Sequence, residues 1–110
     1  METLVKGDVI VLPFPFSNLS ASKNRPALVA AIASEDEVIL CQITSVLRSD
    51  KYVITLSDGD FKQGGLHMES RIRCNKLFTA DKSIISYKIG ILKESKVKEV
   101  ENKLVEIFMR

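Results

Sequence analysis

The chain has 110 residues, 45% of them hydrophobic and 27% charged, a balance that fits one globular domain with its own core and excludes a disordered tail or two separate cores. Its formal net charge of +2 is too small to announce a nucleic-acid partner, so such a partner has to be read from where the basic residues cluster. No window approaches the roughly 20 apolar residues of a membrane span, and the first residues lack the basic-then-apolar pattern of a signal peptide. A single domain over residues 1–110, cytoplasmic and without membrane contact, is expected. Cys41 and Cys74 fall inside apolar runs, there is no Cys-x-x-Cys pair, and His67 is the only histidine. That spacing offers no metal site and points to no cofactor, and the thiols are expected to be free and buried.

Residues 8–12 (Asp-Val-Ile-Val-Leu) are a β-branched run and read as a first strand ending at Pro13. Residues 17–24 are small and polar and read as a loop. Residues 26–33 and 37–44 are apolar runs separated by Ser34, Glu35 and Asp36, which suggests a central hairpin with both faces covered; a buried helix over the alanine-rich run is the alternative. A strand over 52–56 follows, then an irregular stretch over 61–69 containing Gly64 and Gly65. Residues 70–77 alternate, which turns Ile72 and Cys74 inward and sets Arg71, Arg73 and Asn75 on the opposite face. Asp81 is placed to cap one helical turn, residues 88–92 read as a last strand, and from Ser95 the stripe Val97, Val100, Leu104, Ile107 and Phe108 predicts a terminal helix packed on the sheet. The expected fold is mainly β: a small, strongly curved barrel or half-barrel of about six strands with a C-terminal helix.

Three positions invite chemistry. Arg25 precedes Pro26, which holds its backbone extended at a rigid strand edge where a guanidinium can grip a phosphate in two places; a plain surface arginine is the competing reading. Thr44 and Ser45 bring two hydroxyls to the end of an apolar strand, to bond a phosphate oxygen or simply the local backbone. His67 is the one side chain of the type whose unperturbed titration falls near neutral pH, and it lies in a glycine-flanked loop where an idle, solvated histidine is also common.

Gly7-Asp8-Val9-Ile10-Val11, Asn24-Arg25-Pro26-Ala27-Leu28-Val29, Gln42-Ile43-Thr44-Ser45, Gly65-Leu66, the run over residues 70–79 and Lys88-Ile89-Gly90 occur in the order and rough spacing of the MazF/PemK toxins, which the chain resembles over nearly its whole length. The resemblance implies an SH3-like barrel, a homodimer, and cleavage of single-stranded RNA, messenger RNA foremost, without a metal ion and under the control of a cognate acidic antitoxin. It implies catalytic roles for Arg25, Thr44 and Arg73, with Ser45, Lys23, Arg71, Asn75 and His67 binding the RNA strand. Residues 17–24 would gate the groove, and Phe14 or Phe16 would stack on a base or fill the core. The sequence departs from the family where Asn75 stands at the position of an expected aspartate, and it lacks the glutamate that often precedes the motif arginine. An amide cannot take a proton from a 2′-hydroxyl, which leaves Arg25, His67 or Glu69 as the base. A related toxin family of this fold binds DNA gyrase, so a non-enzymatic protein inhibitor, or an inactive family member, is the alternative function.

Overall fold

The computed structural model describes residues 3–15, 22–46 and 50–110. Among these residues seven strands, β1 (Asp8–Pro15), β2 (Ser22–Ile32), β3 (Glu37–Thr44), β4 (Val53–Leu56), β5 (Phe61–Gly64), β6 (Ser70–Asp81) and β7 (Tyr87–Leu92), precede one α-helix, α1 (Glu94–Met109). They form one antiparallel sheet in the order β4-β6-β3-β2-β1-β7-β5. A flat sheet would be one thin layer, whereas the chain measures 34 × 31 × 30 Å, so the sheet curls into a half-barrel. Among the described residues no helix is long and apolar enough to cross a membrane.

Strand alternation divides the apolar residues between two cores. Val9, Leu28, Cys41, Ile43, Ile72 and Leu92 form one cluster with Val100 of α1. Their chain neighbours Ile10, Ala27, Val29 and Leu40 point the other way and pack with Leu12, Val38, Ala80 and Ile85. Both faces of β1, β2 and β3 are therefore covered, which is why these segments read as nearly unbroken apolar runs. The helical alternative for the alanine-rich run is ruled out by its pairing, with Ala27 opposite Gln42 and Val29 opposite Leu40.

The turn that opens β1 is held by a buried carboxylate. Gly7 takes φ +100°, a conformation suited to glycine, and the Asp8 N–H donates to the Val5 carbonyl at 3.1 Å. The fully buried Asp8 side chain accepts the Val5 N–H through Oδ2 at 2.9 Å and faces Lys88 Nζ of β7 at 3.2 Å through Oδ1.

Several boundaries differ from expectation. β1 runs through Pro13 to Pro15, paired with β2, because β7 pairs only with Asp8, Val9, Ile10 and Val11. Beyond Val11 the strand has one neighbour among the described residues, and a proline loses no ladder bond on the open side. β2 accordingly begins at Ser22, so Lys23 and Asn24 belong to a strand and not to a loop, while Phe16 and residues 17–21 of the expected gate lie outside the described residues. The stretch over 61–69, expected to be irregular, contains strand β5 at its start; a Cβ on Gly64, at φ +71°, would collide with the Ile89 carbonyl oxygen of β7. Asp81 does cap the turn over Lys82–Ile84, its carboxylate accepting the Ser83 N–H at 2.8 Å. That bond holds the Asp81 carboxyl below its usual range.

Helix α1 buries Val100 and packs Val97, Leu104 and Ile107 on the first cluster, but Phe108 is 68% exposed and not part of the buried stripe. Lys96, lying along the helix-to-sheet seam, donates to the Thr55 carbonyl of β4 at 3.1 Å and to Glu99 at 2.9 Å. Cys41 and Cys74 are free, buried thiols. The neighbouring Cys74 thiol and burial push the Cys41 thiol above its ordinary range.

Candidate functional site

The register of β2, β3 and β6 assembles a polar row at one end of the sheet. Thr44 stands opposite Arg71, and Gln42 stands opposite Arg73. Ala27 is opposite Gln42, so the same register continued by two residues brings Arg25 beside Thr44. Directly opposed residues of an antiparallel pair share a face, and Arg25, Gln42, Thr44, Arg71 and Arg73 therefore lie on the face that carries the Leu12 and Ala27 cluster, opposite the face covered by α1. On the far side Thr55 of β4 is opposite Arg71 and extends the row. A chain of nearly balanced charge thus concentrates three guanidinium groups on one surface.

Each side chain is held in a definite way. Thr44, 7% exposed, accepts the Val46 N–H on Oγ1 at 3.1 Å. The bond closes the strand end, as one of the two sequence readings had it, and because it uses a lone pair the hydroxyl hydrogen is still available to a substrate oxygen. Arg73 donates from Nη1 to Gln42 Oε1 at 3.5 Å. Arg71 donates from Nη1 to the Ser70 carbonyl at 3.0 Å and lies 3.4 Å from Glu69 Oε1.

Where the strands end, Lys23, Asn24, Arg25, Pro26, Ile43, Thr44, Ser45, Leu66, Met68 and Ser70 line an open depression of about 210 Å³. Small-molecule sites run to roughly 300–1,000 Å³ and bury most of their ligand; this one is smaller and open to solvent. Exposed Met68 adds apolar surface to the lining, and exposed Val46 follows Ser45 in the chain. Among the described residues, no group of three His, Cys, Asp or Glu side chains is placed to hold a metal ion.

Of the residues singled out from sequence, Arg25, Thr44, Ser45 and Lys23 meet in the depression, and Arg71 and Arg73 join Arg25 and Thr44 on the adjoining row. Asn75 does not extend that row in register. The β3–β6 pairing jumps from Cys41 opposite Leu77 to Gln42 opposite Arg73, leaving Cys74, Asn75 and Lys76 in a bulge, with Asn75 exposed. His67 lies between Leu66 and Met68 but does not line the depression: it has φ +60°, its N–H donates to Asp58 Oδ1 at 3.1 Å, and its ring lies 3.7 Å from Asp58 Oδ2, with the side chain 88% exposed. Phe14 packs edge-on against Phe78 with ring centroids 5.1 Å apart, a core contact. Gln42 and Ser70 entered the sequence reading only within the family-like motifs, and Met68 did not enter it; none was given a role. Gln42 carried a usable signal, as the one polar residue inside an otherwise apolar strand segment; the other two are brought in by the bend before β6.

Comparison with known proteins identifies the fold and the family. Among curated proteins no sequence matches. Among solved structures, an endoribonuclease in complex with its cognate antitoxin from a mycobacterial species superposes with a TM-score of 0.75 at 11% identity, over 97% of this chain and 96% of that one. A MazE-MazF complex from Deinococcus radiodurans gives a TM-score of 0.75 at 19% identity, over 94% of each chain. The Mycobacterium tuberculosis toxin MazF-mt6 gives 0.66 at 19% identity, over 91% of this chain and 96% of that one. At such identities the superpositions establish the fold. The family is established by the match of residues 5–108 to the model of PemK-like, MazF-like toxins. Spanning nearly the whole chain, that match makes this protein a member of the PemK-like, MazF-like toxins of type II toxin-antitoxin systems.

Proposed function

We propose that the chain is an endoribonuclease that cuts single-stranded RNA, messenger RNA foremost, at short specific sequences by internal attack of the 2′-hydroxyl, leaving a 2′,3′-cyclic phosphate and a 5′-hydroxyl and so arresting translation and growth. The observation that carries the reading is the row itself, in which Arg25, Thr44, Arg71 and Arg73 share one face beside an open depression. The pentavalent phosphorane gathers charge on its equatorial oxygens, and fixed guanidinium and hydroxyl donors are the groups that stabilise it most. In this reading Arg25 and Arg73 grip the scissile phosphate, Thr44 donates its hydroxyl hydrogen to a phosphate oxygen, and none of these steps draws on a bound metal or cofactor. Lys23, Ser45 and Arg71 hold the flanking backbone, and exposed Asn75 and His67 lie farther along the strand's path. Met68 and Val46 offer apolar surface to an unstacked base.

The protein would act as a homodimer and be silenced by an acidic antitoxin covering the basic row; the relatives solved as MazE-MazF and as endoribonuclease-antitoxin complexes support such a partner. The internal-attack mechanism makes a sharp prediction. An oligonucleotide that is cut at one position should resist cutting there when that nucleotide carries a 2′-O-methyl group, while still competing for binding. Continued cleavage of the methylated strand at the same bond would mean that water, and not the 2′-oxygen, attacks the phosphorus.

A further inference from the structure

We propose that Glu69 is the general base of this site. The inference rests on the ribonuclease reading and assigns the one role that reading leaves open. Internal attack requires an acceptor for the 2′-hydroxyl proton, within roughly 2.6–3.2 Å of it in the bound state. Among the described residues, the depression lining contains no carboxylate, and its charged side chains are Lys23 and Arg25, both cationic. His67 is turned toward Asp58 and away from the depression. Asn75 is an amide and sits in the β6 bulge.

Glu69 lies between Met68 and Ser70, which line the depression, and its own side chain turns to the row: Oε1 lies 3.4 Å from Arg71 Nη1, and Arg71 is directly opposite Thr44. The ion pair aims the carboxylate along the row without consuming it, since the Glu69 side chain is 66% exposed while that of Arg71 is 14% exposed. Among the described residues, Glu69 is paired with Arg71 on β6, Lys23 and Arg25 of β2 line the depression that Met68 and Ser70 also line, and His67 of the same loop is engaged with Asp58. With phosphate held by Arg25 and Thr44, Glu69 takes the proton from O2′, the O2′–P bond forms, the P–O5′ bond breaks, and the departing 5′-oxygen is protonated by water in the open depression. Glu69 then releases its proton to solvent, and no other co-reactant is needed.

The test is the pH dependence of kcat/KM on one cleavable oligonucleotide for wild type, Glu69→Gln, Glu69→Asp and, as a control, Glu106→Gln on the outer part of α1. Loss of a general base costs about 10²–10⁴-fold in rate. Glu69→Gln should fall within that range and lose the acidic limb of the profile, with its circular dichroism and RNA binding unchanged. Glu69→Asp should keep the limb at reduced rate, and Glu106→Gln should match wild type. A Glu69→Gln protein that cuts at the wild-type rate, or one that is slower but keeps the acidic limb, overturns the assignment while leaving the ribonuclease reading in place. A folded wild type that binds RNA and never cuts it overturns that reading, and the assignment with it.

Discussion

Replacing Arg25 with alanine is expected to lower RNA cleavage about 10²–10³-fold or more while leaving the fold intact, because it removes a preorganised donor aimed at charge that develops only in the transition state. Arg25 is partly exposed and belongs to neither hydrophobic cluster, so the loss should appear in kcat more than in thermal stability. Lysine at this position should recover only part of the activity, since an ammonium is a point charge and cannot present the two parallel N–H groups of a guanidinium. Binding should weaken as well, with the salt dependence of the association constant becoming shallower by about 0.7 in log–log slope, the share of one phosphate contact on a single strand. Single-turnover kinetics of wild type, Arg25→Ala and Arg25→Lys across a salt series separate these effects. Equal cleavage by all three would remove Arg25 from the chemistry.

The second large effect is structural. Asp8 is fully buried, and its two oxygens hold the Val5 N–H and face the Lys88 ammonium. Asp8→Ala strands the cation, whose side chain is only 20% exposed, and leaves the Val5 N–H without its acceptor. Breaking a buried pair by removing one partner costs roughly 3–5 kcal/mol, which for a domain of this size lowers Tm by about 10 °C or more. Asp8→Asn keeps an acceptor for Val5 and should lose less. Thermal melts followed by far-ultraviolet circular dichroism measure both, and a Tm unchanged in Asp8→Ala would show that the Lys88 charge finds water without cost. The conspicuous Gly7-Asp8 pair thus acts in the fold: glycine allows the turn, and the aspartate ties that turn to β7.

The central hairpin, the edge strand β4, the capped turn at Asp81 and the terminal helix were legible in the sequence because each is announced by local pattern: alternation, apolar runs bounded by turn residues, and an apolar stripe at helical spacing. Strand β5 was not. Its four residues, Phe-Lys-Gln-Gly, carry no alternation that marks a strand, and they pair only because β7 offers an edge and Gly64 permits close approach. The extension of β1 through Pro13 was hidden for a similar reason, since a proline counts against a strand until the neighbouring edge is known to be open. Phe108 fits the helical stripe by spacing, but it lies past the last contact that α1 makes with the sheet cluster.

The site was legible in part. Arg25 and Thr44 stand out in sequence because each sits where an apolar strand begins or ends, and registers that sequence alone does not fix bring them side by side. The expectation that Arg71, Arg73 and Asn75 form one continuous row fails at its last member: strict alternation assumes an unbroken ladder, and the bulge over Cys74, Asn75 and Lys76 breaks it. His67 was a candidate by its titration range, but its orientation depends on Asp58, nine residues away. Glu69 was one of three candidate bases in the sequence, and its contact with Arg71 is what the structure adds.

The most direct test is to incubate the purified chain with a long single-stranded RNA in EDTA and map the product ends. Discrete cuts at a recurring short sequence, ending in 2′,3′-cyclic phosphate and 5′-hydroxyl, are the predicted result. An RNA left intact by the folded wild-type protein across a broad panel of sequences would contradict it and would turn attention to a protein target for this toxin.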